Sequence, residues 1–211
     1  MSEYHTFPVN LILNDKPCLV VGGGQVGLKK ATGLLASGAL VTVISLNFVE
    51  GFHKLPADNL TLITKLFEPD DIKTAWLVIS ATGDEQVDRC IYEECEKQQI
   101  WVNSADRLNS CNFILPAKSE KSGIMISVST FGKSPTFAAW LRDYFDSLLD
   151  DQLIELFNIL AVARQTLKDR GISTQKANLK SFVYDNIIDL IKNNQYDNAR
   201  SLIEDYISDI L

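Results

Sequence analysis

Long apolar runs, histidine and basic charge are all scarce in this sequence. No stretch of 18 apolar residues occurs, which argues against a membrane-spanning helix. The start, Met1-Ser2-Glu3-Tyr4-His5, has neither the basic residues nor the apolar core of a secretory signal, so the expectation is a cytoplasmic protein. Lys and Arg number 20 against 27 Asp and Glu, a net charge of −7, which argues against general nucleic-acid binding. The two histidines, His5 and His53, offer no His-based catalytic pair and no metal cluster. The four cysteines, Cys18, Cys90, Cys95 and Cys111, form no C-x-x-C pair and no metal-ligand rhythm. They read as reduced, mostly buried thiols. No G-x-S-x-G nucleophile motif is present.

What the chain does have is one glycine-rich stretch in a telling place. Gly22, Gly24 and Gly27 spell G-x-G-x-x-G directly after the apolar run Cys18-Leu19-Val20-Val21. A helical pattern over 28–37 follows, then a β-branched run at Leu40-Val41-Thr42-Val43-Ile44. This strand–turn–helix–strand context predicts a Rossmann-type parallel sheet with a dinucleotide at its mouth. Gly22 suits a tight turn, Gly24 leaves room for a pyrophosphate, and Gly27 lets helix and sheet approach. The helix N-terminus adds free N–H groups for the phosphates. An NAD site commonly carries an acidic residue about 20 positions on. Here that place holds Ser45, with Asn47 nearby and no arginine directly following. The expected cofactor is NAD, its ribose held by neutral groups or backbone.

Further strands are predicted at 60–64, 75–82 and 100–103, with a helix over 84–98. Thr82 closes the fourth strand where the sheet's crevice would lie; it faces the cofactor or caps the next helix. Beyond residue 112 the pattern changes. Strands at 112–117 and 123–130, with the turn at 119–122 and no helix between, predict an antiparallel pair. Helices follow from Pro135 to about Leu149 and through the remainder, with apolar stripes such as Leu153, Leu156, Phe157, Leu160 and Ala161. The expected organisation is therefore α/β: a Rossmann-type domain over 1–111, a small β-containing dimerisation region over 112–148, and a helical domain over 149–211.

Charge is unevenly spread. Residues 107–142 hold Arg107, Lys118, Lys121, Lys133 and Arg142 against Glu120 alone, inside an otherwise acidic chain. Such an island could draw an anionic ligand, or be a set of separate solvated side chains. Asp106 follows the fifth strand on the ligand side of the sheet. It could act as a general base beside a nicotinamide, or simply form a turn.

In the order Phe7-Pro8-Val9, Cys18 through Val26, Lys29-Lys30-Ala31, Ala81-Thr82, Val102-Asn103 through Asp106, Phe113 through Ala117, Ile126 through Pro135, and Leu141-Arg142, the sequence resembles the precorrin-2 dehydrogenase family. The same module stands at the N-terminus of bifunctional siroheme synthases. The resemblance runs from about residue 5 to 150. It implies NAD-dependent oxidation of precorrin-2 to sirohydrochlorin in siroheme biosynthesis, with iron insertion into sirohydrochlorin as an added activity in some relatives. It implies NAD binding at Gln25, Val26, Leu46 and Asn47, a catalytic Asp106, and a homodimer joined through the two middle strands and adjoining helices. The substrate carries eight carboxylates, for which Lys133 and Arg142, with Asn103, are the expected ligands. No resident metal, membrane or nucleic-acid partner is expected. A nucleotide- or tetrapyrrole-binding sensor without turnover is the alternative of a different class.

Overall fold

The computed structural model describes residues 5–173, 175 and 177–210. The chain divides into two compact units, Met1–Pro116 with Phe131–Ser134, and Ala117–Thr130 with Pro135–Leu211.

The first unit is built on five parallel strands: β1 (Pro17–Val21), β2 (Leu40–Ser45), β3 (Leu60–Thr64), β4 (Leu77–Ser80) and β5 (Trp101–Ser104). Their order is β3-β2-β1-β4-β5, so the direction of winding reverses between β1 and β4. That is the switch point at which an open α/β sheet forms a crevice beyond its carboxyl ends. β1 is buried on both faces, as a central parallel strand must be. Cys18 and Val20 pack with Ala31, Leu34, Val41, Val43 and Phe52 on one side. Leu19 and Val21 pack with Ile44, Ile72, Val78, Ile91 and Val102 on the other. Two helices cover these faces, α1 (Gln25–Ala36) and α2 (Glu85–Gln98). The Asp84 carboxylate caps α2 by accepting from the Gln86 and Val87 N–H groups, and Gln99 ends it in the left-handed region at φ 56°.

The predicted strand at 112–117 does not form. The stretch after β5 instead serves β5 as an irregular flank. Val102 N–H donates to the Asn112 side-chain oxygen at 2.8 Å, Asn112 N–H donates to the Val102 carbonyl at 3.0 Å, and the Asn103 amide donates to the Phe113 carbonyl at 3.0 Å. An asparagine side chain that mimics backbone is what the apolar pattern of 113–115 could not reveal.

In the second unit the antiparallel pair is β6 (Ala117–Lys121), which takes up most of the expected turn at 119–122, and β7 (Ile124–Val128), which lies within the expected strand at 123–130. The turn is Ser122-Gly123, with φ of 50° and 83°. Positive φ at both central residues is the two-residue hairpin geometry that matches strand twist, and it sets the register. Ser119 Oγ donates to Asp146 at 2.5 Å and Lys121 Nζ to the Leu149 carbonyl at 2.6 Å, tying this ribbon to the region of α3 (Pro135–Ser147). The remainder is α4 (Asp151–Asp169), α5 (Leu179–Phe182), α6 (Ile188–Lys192) and α7 (Tyr196–Ile210). α4 buries Ile154, Leu156, Ala163 and Leu167, whereas Phe157 and Ala161 are exposed. The expected stripe is thus partly displaced, because Leu156 packs in one core with Ala199 and Ile203 of α7, and that partner selects the buried line.

Candidate functional site

The carboxyl ends of β1 and β2 and the start of α1 form a cradle made of backbone. Gly22 sits at φ +121°, and a Cβ there would lie 2.2 Å from the Ala81 carbonyl oxygen. A Cβ on Gly27 would meet the Gly22 carbonyl oxygen at 2.0 Å. Gly23 is equally closed in, 2.0 Å from the Asn47 carbonyl oxygen by the same measure. Gly24 is the exception: a Cβ there would have nothing within 4 Å. Three positions therefore need glycine for the fold, and Gly24 alone opens onto free space. Gly24 is also the N-cap of α1 and makes no side-chain cap bond, so the first amides of the helix remain available to an anion. Gln25 and Val26, in the first turn, are exposed. These features fit a pyrophosphate, and hence a dinucleotide, lying across this turn.

At the end of β2, the Ser45 hydroxyl accepts from Asn47 N–H at 3.4 Å, and the Gly23 carbonyl accepts from Val49 N–H at 2.9 Å. The loop after β2 is therefore pinned to the glycine turn. Leu46, exposed beside it, offers an apolar surface for a flat ring. Residues 45–49 carry no acidic side chain to hold ribose hydroxyls and no Lys or Arg to hold a 2′-phosphate, and Lys65, whose backbone N–H donates to the Ser45 carbonyl, is ion-paired with Glu68 and Asp71.

The ends of β4 and β5 are joined through Asp88 on α2, whose side chain is 2% exposed. Its Oδ1 accepts from Ser80 Oγ at 2.5 Å and from Thr82 Oγ1 at 2.6 Å. Its Oδ2 accepts from Ser104 Oγ at 3.3 Å and lies 3.7 Å from Arg107 Nε. Arg107 also pairs with Glu85 at 3.2 Å. Thr82, expected at the cofactor or as a cap, thus turns its hydroxyl to Asp88, and it also accepts from Asp84 N–H at 3.0 Å. What it can present to a cofactor is its backbone.

Asp106 lies on the exposed loop after β5, between Ser104 and Arg107. It is near enough to α1 for its charge to act on Lys30. Burial and the Lys29 charge push the half-buried Lys30 ammonium below the ordinary lysine pKa, with Cys111 and Asp106 pulling the other way. In the sequence Lys29-Lys30-Ala31 only carries the family resemblance, and Lys30 is not among the expected site residues. Its position three residues after Gly27 was the available signal. Lys133 is exposed, and its loop meets the Asp106 loop: a Cβ on Gly132 would lie 2.3 Å from the Leu108 side chain. Asn103 is buried and spends its amide on the Phe113 carbonyl. Arg142 belongs to the second unit and is ion-paired with Asp143 at 2.6 Å. Of the positive island, then, Arg107, Lys121 and Arg142 have partners within the chain. Cys111 is held by Ser104 N–H at 3.1 Å, and burial raises its thiol pKa. Among the described residues no group of three His, Cys, Asp or Glu could hold a metal ion, and no helix is long and apolar enough to cross a membrane.

Comparison with known proteins agrees with this geometry. A family model described as "Putative NAD(P)-binding" matches residues 9–117. Siroheme synthase 1 of Yersinia pestis (strain Pestoides F) is 34% identical over 206 residues, covering 96% of this chain and 44% of that protein. Siroheme synthase 2 of Pectobacterium atrosepticum is 32% identical over 201 residues, covering 93% and 44%. The chain therefore spans under half the length of these curated relatives. Among solved structures, "SirC, precorrin-2 dehydrogenase" shares the fold with a TM-score of 0.75 at 22% identity, covering 95% of this chain and all of that one. With its glycine turn, switch-point crevice and matched residues 9–117, the chain belongs to this NAD(P)-binding family.

Proposed function

We propose that the chain oxidises precorrin-2 to sirohydrochlorin with NAD as hydride acceptor. The observation that carries this reading is the pairing of an open cradle at Gly24 with a carboxylate, Asp106, on the loop after β5 of the same sheet. The similarity to proteins named siroheme synthase and the shared fold with one named precorrin-2 dehydrogenase support it. NAD is preferred to NADP because residues 45–49 carry no cation and Lys65, next to Ser45, is already ion-paired with Glu68 and Asp71. In this reading the α1 amides at Gly24, Gln25 and Val26 hold the pyrophosphate, Leu46 backs the adenine, and Ser45 and Asn47 hold the ribose through neutral groups.

A bound NAD+ supplies the hydride acceptor. Loss of a hydride and a proton from the macrocycle balances the two hydrogens removed, and the Asp106 carboxylate takes the proton. Lys133, whose loop adjoins that of Asp106, holds a substrate carboxylate, and Lys30 adds a second positive charge from α1. For the substrate carboxylates the proposal favours these two lysines. Arg142 is engaged with Asp143, and Asn103 is given a structural role, holding the flank of β5. The unpaired cysteines accord with a reducing compartment, and we place the protein in the cytoplasm.

The test is NADH formation from precorrin-2 and NAD+. The wild type should produce NADH, and Asp106→Ala should lose about a hundredfold or more in kcat while binding NAD+ as before. Wild-type protein that binds NAD+ but yields no NADH would leave a sensor in place of an enzyme. The relatives' name favours a second reading, insertion of Fe2+ into sirohydrochlorin with the metal as substrate. Sirohydrochlorin and Fe2+ without NAD+, followed by absorbance against a protein-free blank, decide it: no acceleration removes this activity.

A further inference from the structure

Asp88 has no part in the chemistry above, yet its burial demands an explanation. A carboxylate in the first turn of an amphipathic helix is ordinarily solvated, and a buried one persists only when donors surround it. Here every donor comes from the rim of the crevice. Ser80 and Thr82, at the end of β4, donate to one oxygen at 2.5 and 2.6 Å. Ser104, at the end of β5, donates to the other at 3.3 Å, with Arg107 Nε 3.7 Å away. That Arg107 nitrogen is buried and has no hydrogen-bond partner, and the carboxylate beside it is Asp88, while an outer nitrogen of the same guanidinium pairs with Glu85. Ser80 and Ser104 face each other as the last residue pair of β4 and β5. Ala105 N–H closes the same corner by donating to the Ser80 carbonyl at 2.9 Å.

The consequence concerns Asp106. Ser104 and Arg107 stand on either side of the Ala105-Asp106 step, and both are held by the same carboxylate. We propose that Asp88 is a positioning residue: from beneath the crevice it fixes the Ser104–Arg107 loop against the end of β4 and so sets where the Asp106 carboxylate stands. The inference deepens the redox reading and rests on it. It also assigns Thr82 to the wall of the crevice, on the strength of its bond to Asp88.

A tie that merely stabilises the sheet and one that places a reacting group are told apart by a double-mutant cycle. Asp88→Ala and Asp88→Asn are each made in the wild-type and Asp106→Ala backgrounds, with NAD+ affinity, kcat and KM for precorrin-2 and the melting temperature measured. Asp88→Ala should lower kcat about tenfold or more, with NAD+ Kd and substrate KM changed less than about threefold. In the Asp106→Ala background the same change should alter the residual rate by less than about twofold. Asp88→Asn keeps an acceptor for Ser80 and Thr82 but turns N–H groups toward Arg107. Its loss should be smaller, about threefold, and it replaces the alanine variant in the cycle if that variant does not fold. An unchanged kcat, or an equal fall in both backgrounds, overturns the proposal.

Failure of the redox reading would look different, since the wild type itself would give no NADH. Hydrogen exchange at the Ala105, Asp106 and Arg107 amides then decides the structural half. Exchange about tenfold faster in Asp88→Asn supports the positioning of the loop, and unchanged exchange refutes it.

Discussion

Lys30 is a side chain costly to the fold to which the proposed reading gives a use at the site. Its ammonium is half-buried on α1, and burial followed by repulsion from Lys29 lowers its pKa. A lysine whose folded pKa is depressed penalises folding while both states are protonated. That penalty is relieved as pH rises through the interval between its folded value and the ordinary lysine value. Stability from this residue should therefore increase toward alkaline pH. Lys30→Met keeps the aliphatic stem and removes the charge. At neutral pH the melting temperature should rise by about 2 °C, and that gain over the wild type should shrink across the alkaline interval, because the wild type sheds its penalty there and the variant has no ammonium to titrate. NADH formation should fall about tenfold, the cost of one charge-assisted contact to a substrate carboxylate. Thermal melts across pH and initial rates check both halves, and a destabilised variant would contradict the burial argument. The cysteines contrast with Lys30: burial pushes Cys18 up to about 11 and Cys95 up to about 12, so neither offers a thiolate near neutral pH.

At the scale of the element, the glycine turn separates residues needed for folding from one needed for the ligand. Gly27→Ala would drive a methyl into the Gly22 carbonyl at 2.0 Å, between two pieces of backbone that cannot yield cheaply. It should cost about 2 kcal/mol or more and lower the melting temperature by several degrees. Gly24→Ala meets nothing within 4 Å, so its melting temperature should stay within about 2 °C of wild type. Its methyl occupies the space left for the pyrophosphate, and NAD+ affinity should drop about tenfold or more. Calorimetry and an NAD+ titration on the two variants give opposite patterns, and equal destabilisation would count against the open cradle. The turn was legible because its function is written in residue type: glycine before a helix and after an apolar strand has few other meanings. β1, β2, β3 and α2 were legible for the same reason, since their apolar period and caps agree. The Asp88 cluster was not, because a carboxylate between Val87 and Arg89 looks solvated until Ser80, Thr82 and Ser104 are brought around it. The flank of β5 escaped for the converse reason: Phe113-Ile114-Leu115 has the composition of a strand, but Asn112 turns it into a clamp on Val102. Local pattern records what a segment prefers, and long-range hydrogen bonds decide where it goes.

At the scale of the molecule, the second unit leaves apolar surface uncovered. On α3, Phe137, Trp140 and Tyr144 stack in series, with ring centroids 5.5 and 5.9 Å apart, and are each half exposed. Phe145, Leu148 and, on β7, Met125 are exposed as well. A row of stacked aromatics open to water is rare on a monomer and is the composition of an interface core. We propose that this face joins two copies of the chain, the homodimer that the family resemblance implies. The wild type should sediment at twice 23.6 kDa. Trp140→Glu places a charge in the middle of the row, where burial against a second copy would leave it unpaired, and should shift the mass to 23.6 kDa at micromolar concentration. The glycine cradle lies wholly within the first unit, so NAD+ affinity of the monomeric variant should stay within about twofold of wild type. A wild-type mass of 23.6 kDa would refute the interface, and a dimeric Trp140→Glu would move it elsewhere on the chain. A monomer that still binds NAD+ but has lost NADH formation would show that turnover needs the second copy although cofactor binding does not.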